Sequence, residues 1–221
     1  FWQNAESKAI NWKPELQLDG LKGKVTVQYD ERRVPHVFAE NDEDLYYMQG
    51  YLTAQDRLWQ MEFITIAASG RVSEIIGEGA LEFDRTKRRM GIAYAAEQTV
   101  AKIDENPTSK MVLDNYTAGV NAYINSLSDG SLPLEYKLMN YKPELWSPYK
   151  TALLLKYMAN DLSGWDKDFE YTNAYNLFGK EVVDLLYPDR SPGIDPIIPV
   201  GTPYDFPVTQ LDTPKYSVAN G

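Results

Sequence analysis

Residues 24–70 read KVTVQYDERRVPHVFAENDEDLYYMQGYLTAQDRLWQMEFITIAASG, and the changes of period inside them decide the fold. Lys24 to Tyr29 alternate apolar and polar side chains after Gly20 and Gly23, the pattern of a half-buried strand. Asp30 to Arg33 read as a turn and Pro35 to Phe38 as a second extended run, so a hairpin is predicted. Asn41 then offers a side-chain oxygen to the free N–H groups of a helix start, and Asp42, Glu43 and Asp44 set negative charge at the positive end of its dipole. Apolar residues recur at Leu45, Met48, Leu52, Leu58 and Met61, predicting one long helix to about Ala68 that Gly70 ends.

Outward from this segment the helical spacing returns. It spans Gly91 to Ile103, then Ser109 to Leu127, where Val112, Tyr116, Val120, Tyr123 and Leu127 share a face and Asp129-Gly130 stops the pattern. Further helices are predicted over Tyr149 to Leu162 and Glu170 to Leu186. Beyond Tyr187 the period is lost, and seven of the thirteen prolines fall between Pro188 and Pro214. The reading is an α+β chain with a mostly helical body over 1–190 and a Pro-rich arm over 191–221. Such an arm is either a disordered linker or an extended segment laid on a partner.

Composition excludes several functions. With 221 residues and 43% apolar content the chain can bury a core. The net charge of −10 is spread along the sequence, and no basic stripe exists to neutralise a phosphate backbone, which argues against nucleic acid. Cysteine is absent, which removes disulfides, thiolate zinc sites and cysteine nucleophiles. There is one histidine and no GxSxG, phosphate-loop or HExxH motif, and His36, just after Pro35, reads as a structural side chain near a turn. Asp166, Asp168 and Glu170 alternate ahead of a helix and could face a hard cation, although spacing alone favours a solvated helix N-terminus. Tyr46, Tyr47, Tyr51 and Trp59 read as core and interface rather than as a ligand cage. From the residues alone this is a mostly helical subunit without self-contained catalytic machinery.

The run from Tyr29 to Glu62 followed by SGRVSEIIG at 69–77 resembles the N-terminal signature of the penicillin acylase family. In that signature an acid, a Val-Pro-His, a Gly-Tyr, an Ala-x-Asp-Arg and a Gln-Met recur in order. The resemblance continues through Arg85, Arg89 and Gly91, through YTAGVNAYI at 116–124 and through LPLEYKLMNYKPELW at 132–146. Arg33 stands where the family usually has Gly, so a turn that relies on a glycine's positive φ would have to be built differently here.

The resemblance implies an N-terminal-nucleophile hydrolase with a four-layered αββα core, cleaved from a precursor into a small and a large subunit. This chain would be the small one. It implies that the catalytic Ser opens the large subunit, with Gly221 at the processing site and the 191–221 arm as a linker over the active-site cleft. A cleavage that frees the α-amine of that Ser lets the amine serve as base toward its own hydroxyl, so no histidine is required. Within YMANDLSGWDKDFEYTNA (157–174), the family's Glu-x-x-Asn pattern falls on Glu170 and Asn173, making Glu170 the small subunit's ligand to a structural calcium shared with the large subunit. The family's acyl-pocket Met and aromatic residue fall on Met158 and Leu162, and the Arg that receives the β-lactam side falls on Asp161. A carboxylate there would repel a penicillin carboxylate. The expected activity is hydrolysis of an N-acyl amide. An acyl-homoserine lactone acylase is the rival within the family, and a binding or scaffold subunit whose partner has lost the nucleophile is the rival outside it. The family's usual export and the processed-looking Phe1 imply a periplasmic or secreted location.

Overall fold

The computed structural model describes residues 15–163, 167–188, 193, 197–199 and 201–203. The chain divides into two compact units, 1–163 and 164–221. The sequence reading set its division at 190/191, and the helices between residues 168 and 186 fall on the C-terminal side of the structural one.

In the first unit, β1 (Thr26–Tyr29) and β2 (Pro35–Phe38) pair antiparallel with Val27 opposite Val37 and Tyr29 opposite Pro35. Their turn is held by the Asp30 carboxylate, whose Oδ1 accepts the N–H groups of Arg32 (2.9 Å) and Val34 (2.8 Å). Arg33 itself takes the left-handed conformation, at φ 62°. The expectation of a differently built turn is thereby corrected: the Asx-type bonds of Asp30 hold a non-glycine residue in a region that disfavours a Cβ. The inner face, Val25, Val27, Tyr29 and Val37, packs on Tyr47, Met48, Tyr51 and Leu52. The tyrosines at 47 and 51 are core, as their sequence context implied, with only 4% and 5% exposure.

Those four residues belong to α1 (Asp42–Ser69), capped by Asn41, whose Oδ1 accepts the Asp44 N–H at 2.8 Å, and closed by Gly70 at φ 68°. The predicted limits hold to within a residue or two. A kink at Arg57 (φ −141°, ψ 21°) interrupts it. Three short helices escaped the sequence reading: α2 (Ser73–Ile76), α3 (Leu81–Arg89) and α6 (Leu134–Met139). Each is under three turns, and α3 is mostly charged. Its buried Asp84 accepts the Val72 and Ser73 amides at 2.8 Å each, a tertiary cap that local spacing does not reveal.

α4 (Ile92–Asp104) and α5 (Pro107–Ser126) lie within about two residues of prediction, with Pro107 and the Asn106 cap starting α5. The α1–α5 crossing is glycine-on-backbone. A Cβ on Gly119 would stand 1.8 Å from the Tyr47 carbonyl oxygen, and one on Gly50 would stand 2.1 Å from that of Tyr116. This close approach lets Ala54, Leu58, Met61, Val120 and Ile124 meet Tyr136 and Trp146 in one core. α7 (Pro148–Asp161) lies against α4 through Ala152, Leu153, Ile92 and Ala96.

In the second unit the single helix predicted over 170–186 is two, α8 (Asp168–Phe178) and α9 (Lys180–Leu186), because Gly179 at φ 77° and ψ 162° breaks the ladder. Among the described residues of this unit only Val183 is buried, while Phe169, Leu177 and Leu185 are each more than three-quarters exposed. α8 and α9 thus leave large apolar side chains open to solvent.

Candidate functional site

Three of the candidate residues sit at the C-terminal end of α7. Met158 is 41% exposed and Leu162, the residue that closes the helix, is 78% exposed; its N–H bonds back to the Met158 carbonyl at 2.9 Å. Leu155, also exposed, precedes Met158 by three residues, so Leu155, Met158 and Leu162 form an apolar stripe along one side of the helix. Asp161 is the last helical residue and is exposed, and the last turn of α7 contains no basic side chain. The unbonded carbonyls of a helix C-terminus are themselves negative, so the carboxylate and the dipole add, giving an apolar surface beside a negative pole. This arrangement suits an uncharged apolar group and resists an anion. On the adjoining face, the Lys87 ammonium lies over the Phe83 ring at 5.6 Å and the Tyr157 ring at 5.3 Å, tying α3 to α7.

Glu170 belongs to the second unit, in the first turn of α8, and is exposed, with Asn173 one turn on. Its carboxylate has no ion-pair partner among the described residues. Asp168 starts the same helix, while Asp166 and Gly221 lie outside the described residues. No group of three or more acidic, histidine or cysteine side chains converges among the described residues. A hard cation takes six or more oxygen donors, and the described residues bring no such set around Glu170.

His36 stands on β2 opposite Gln28, its Nε2 3.5 Å from Asp30 Oδ2, with both side chains largely open to solvent. That is a turn-stabilising contact, not a nucleophile and base. A groove of about 530 Å³ between β2 and α1, lined by Val34, Val37, Leu45, Leu52, Asp56 and Arg57 among others, was not read from the sequence, because residues of two elements converge there. Its lining includes none of Met158, Asp161 or Leu162. Equally unread was a buried ion chain around Glu62 and Lys150, which pairs residues 88 positions apart in sequence.

The sequence profile described as penicillin amidase matches residues 24–217, almost the whole of this fold. The chain belongs to the penicillin amidase family. Among its relatives, the penicillin acylase 2 proenzyme of Pseudomonas sp. (strain SE83) is 36% identical over 141 residues, 64% of this chain and 18% of that protein. Penicillin G acylase of Escherichia coli is 29% identical over 156 residues, 69% of this chain and 18% of that protein. An acyl-homoserine lactone acylase of Pseudomonas aeruginosa is 33% identical over 137 residues, 62% of this chain and 16% of that protein. This penicillin amidase chain thus spans less than a fifth of the length of these relatives. A solved structure of a thermostable penicillin G acylase from Alcaligenes faecalis contains a chain of the same fold. The match has a TM-score of 0.64 at 24% identity and covers 80% of this chain and 97% of that one. No helix among the described residues is long and apolar enough to cross a membrane.

Proposed function

We propose that this chain is the small subunit of a self-processed amide hydrolase that cleaves N-acyl compounds, with the nucleophile supplied by a large subunit from the same precursor. The observation that carries the reading is one of proportion. The chain matches nearly all of one chain of an acylase structure, yet under a fifth of a proenzyme and of a second penicillin acylase. The chemical inventory agrees: with no cysteine and a single solvent-facing histidine bound to a turn aspartate, the described residues hold no activated nucleophile. In this reading the apolar face of α8 and α9 packs on the large subunit.

Met158 and Leu162 line the acyl side of the substrate, and Asp161 with the C-terminal end of α7 disfavours a carboxylate on the amine side. This electrostatic pole favours a neutral leaving amine, such as a homoserine lactone, over the amine side of a penicillin. Glu170 would hold a calcium ion whose other ligands come from the large subunit; the metal would be structural, fixing the two chains together. Cleavage after Gly221 and export to the periplasm complete the proposal. The test is amine release from a panel of N-acyl amides by the enzyme produced from its whole gene. The assembled enzyme should release amine, with neutral-amine substrates preferred. No turnover on any acyl amide would favour a binding subunit instead.

A further inference from the structure

Lys150 is the third residue of α7 and is only 7% exposed. A cation there is doubly disfavoured, because burial strips its hydration and the first turn of a helix is already the positive end of the dipole. Two carboxylates compensate. Glu62, 1% exposed on α1, places Oε1 3.2 Å from Lys150 Nζ, and Glu144, on the loop before α7, places Oε2 at 3.1 Å. Glu62 also accepts the Glu144 N–H at 2.7 Å and the Tyr136 hydroxyl. Glu144 accepts two bonds from the Arg71 guanidinium, at 2.6 and 3.3 Å, and the same guanidinium grips Glu74. The loop is pinned again at Trp146, whose N–H donates to Asn121 Oδ1 at 2.7 Å and whose ring lies 5.8 Å from the ammonium.

A buried ion pair is a weak source of net stability compared with apolar residues of the same volume. What it can supply is register, because only one rotation of α7 puts Nζ between both carboxylates. The helix runs unbroken from Pro148 to Asp161. At 100° and 1.5 Å per residue, Asp161 points about 20° away from Lys150 and about 16 Å further along the axis. A 20° rotation of the helix would move a side-chain tip about 6 Å off the axis by about 2 Å. A shift of that size opens gaps against a bound apolar group, and gaps of about 0.5–1 Å already forfeit about a quarter to a half of the dispersion well.

We infer that Lys150 and Glu62 are positioning residues that set the rotation of α7, and through it the presentation of Met158, Asp161 and Leu162 to the substrate. The inference rests on the amidase reading and adds to it a control of acyl specificity at the opposite end of the helix. The test uses the assembled enzyme carrying Glu62→Gln with Lys150→Met, which removes both charges and keeps a carbonyl oxygen for the Glu144 N–H, while the new amide N–H donates to the Tyr136 hydroxyl oxygen. KM and kcat are measured across a series of acyl lengths, beside the melting temperature. The expected result is a folded enzyme whose KM for the preferred acyl group rises about tenfold, whose kcat changes less than about threefold, and whose preference among acyl groups flattens. Lys150→Arg, which keeps the charge, should retain much of the preference. A folded double variant with wild-type KM and acyl preference would overturn the inference. If that variant does not fold, Glu62→Gln alone, with Lys150 still paired to Glu144, is read by the same criterion, and unchanged KM and preference again overturn it. A wild-type enzyme inert on the whole panel defeats the amidase reading itself.

Discussion

Replacing Gly119 by Ala should be among the most damaging single-methyl changes available in this chain. The new Cβ would sit 1.8 Å from the Tyr47 carbonyl oxygen, 2.8 Å from its carbon and 2.9 Å from the Tyr51 nitrogen, all of them backbone atoms that no rotamer change can move. Restoring an ordinary contact of about 3.4 Å requires α1 and α5 to part by about 1.6 Å. Gaps of 0.5–1 Å already forfeit about a quarter to a half of the dispersion well for facing atoms, and this crossing lies over Val120, Ala54 and Leu58. Overpacking typically costs about 1–3 kcal/mol, and a rigid backbone clash belongs at or above the top of that range. Against it stands a gain of about 1 kcal/mol in helix propensity. A net loss of about 2 kcal/mol or more corresponds to a fall of at least about 4–8 °C in melting temperature for a chain of this size. Thermal unfolding of the assembled enzyme, followed by circular dichroism, reads this out. Gly79→Ala is the control, since nothing lies within 4 Å of its Cβ position. If Gly119→Ala melts at or above the wild-type temperature, the close crossing is refuted. Gly50→Ala strains the same contact, so the double variant should lose less than the sum of the two.

Three further outcomes are expected. Glu144 is held down to a pKa of about 2 from an ordinary 4.5, chiefly by the Arg71 guanidinium and further by Lys150 against the opposing effect of burial. A depressed folded-state pKa gives stability that is present above pH 4.5 and is lost as pH falls toward 2, so Glu144→Gln should flatten this acid limb in melts taken between those values. Asp161→Asn should raise kcat/KM for substrates with a carboxylate on the amine side by about three- to tenfold relative to neutral ones, with the gain shrinking as salt is added. An unchanged ratio would remove Asp161 from the specificity site. Chelation of calcium should lower the melting temperature of the assembled wild type by several degrees and leave Glu170→Ala unmoved; equal shifts in both would exclude Glu170 as a ligand.

The parts of the fold legible in the sequence are those whose cause is local. α1 announces itself through the Asn41 cap, three acids in its first turn, its apolar spacing and the Gly70 stop, and every one of these acts within a few residues of where it is written. The parts that were missed depend on distant partners. α3 exists because Asp84 caps α2, and the single helix read over 170–186 is broken by one glycine that the apolar pattern runs straight through. The candidate site shows the same division. Met158, Asp161, Leu162 and Glu170 were reached through a family pattern, and the structure sets the first three together at one helix end. The groove beside β2 and the ion chain from Arg71 to Glu62 stayed hidden, since Glu62 lies 82 residues before Glu144 and 88 before Lys150, and each alone reads as a surface charge.

The central claim, that this chain is one product of a precursor that cuts itself to expose a nucleophile, is tested most directly by intact mass spectrometry. The protein would be expressed from its whole gene, with the residue after Gly221 wild type in one sample and substituted in the other. The account predicts two fragments for the wild type, the smaller ending at Gly221, and a single uncut chain for the variant. A wild-type product that remains one chain would contradict it.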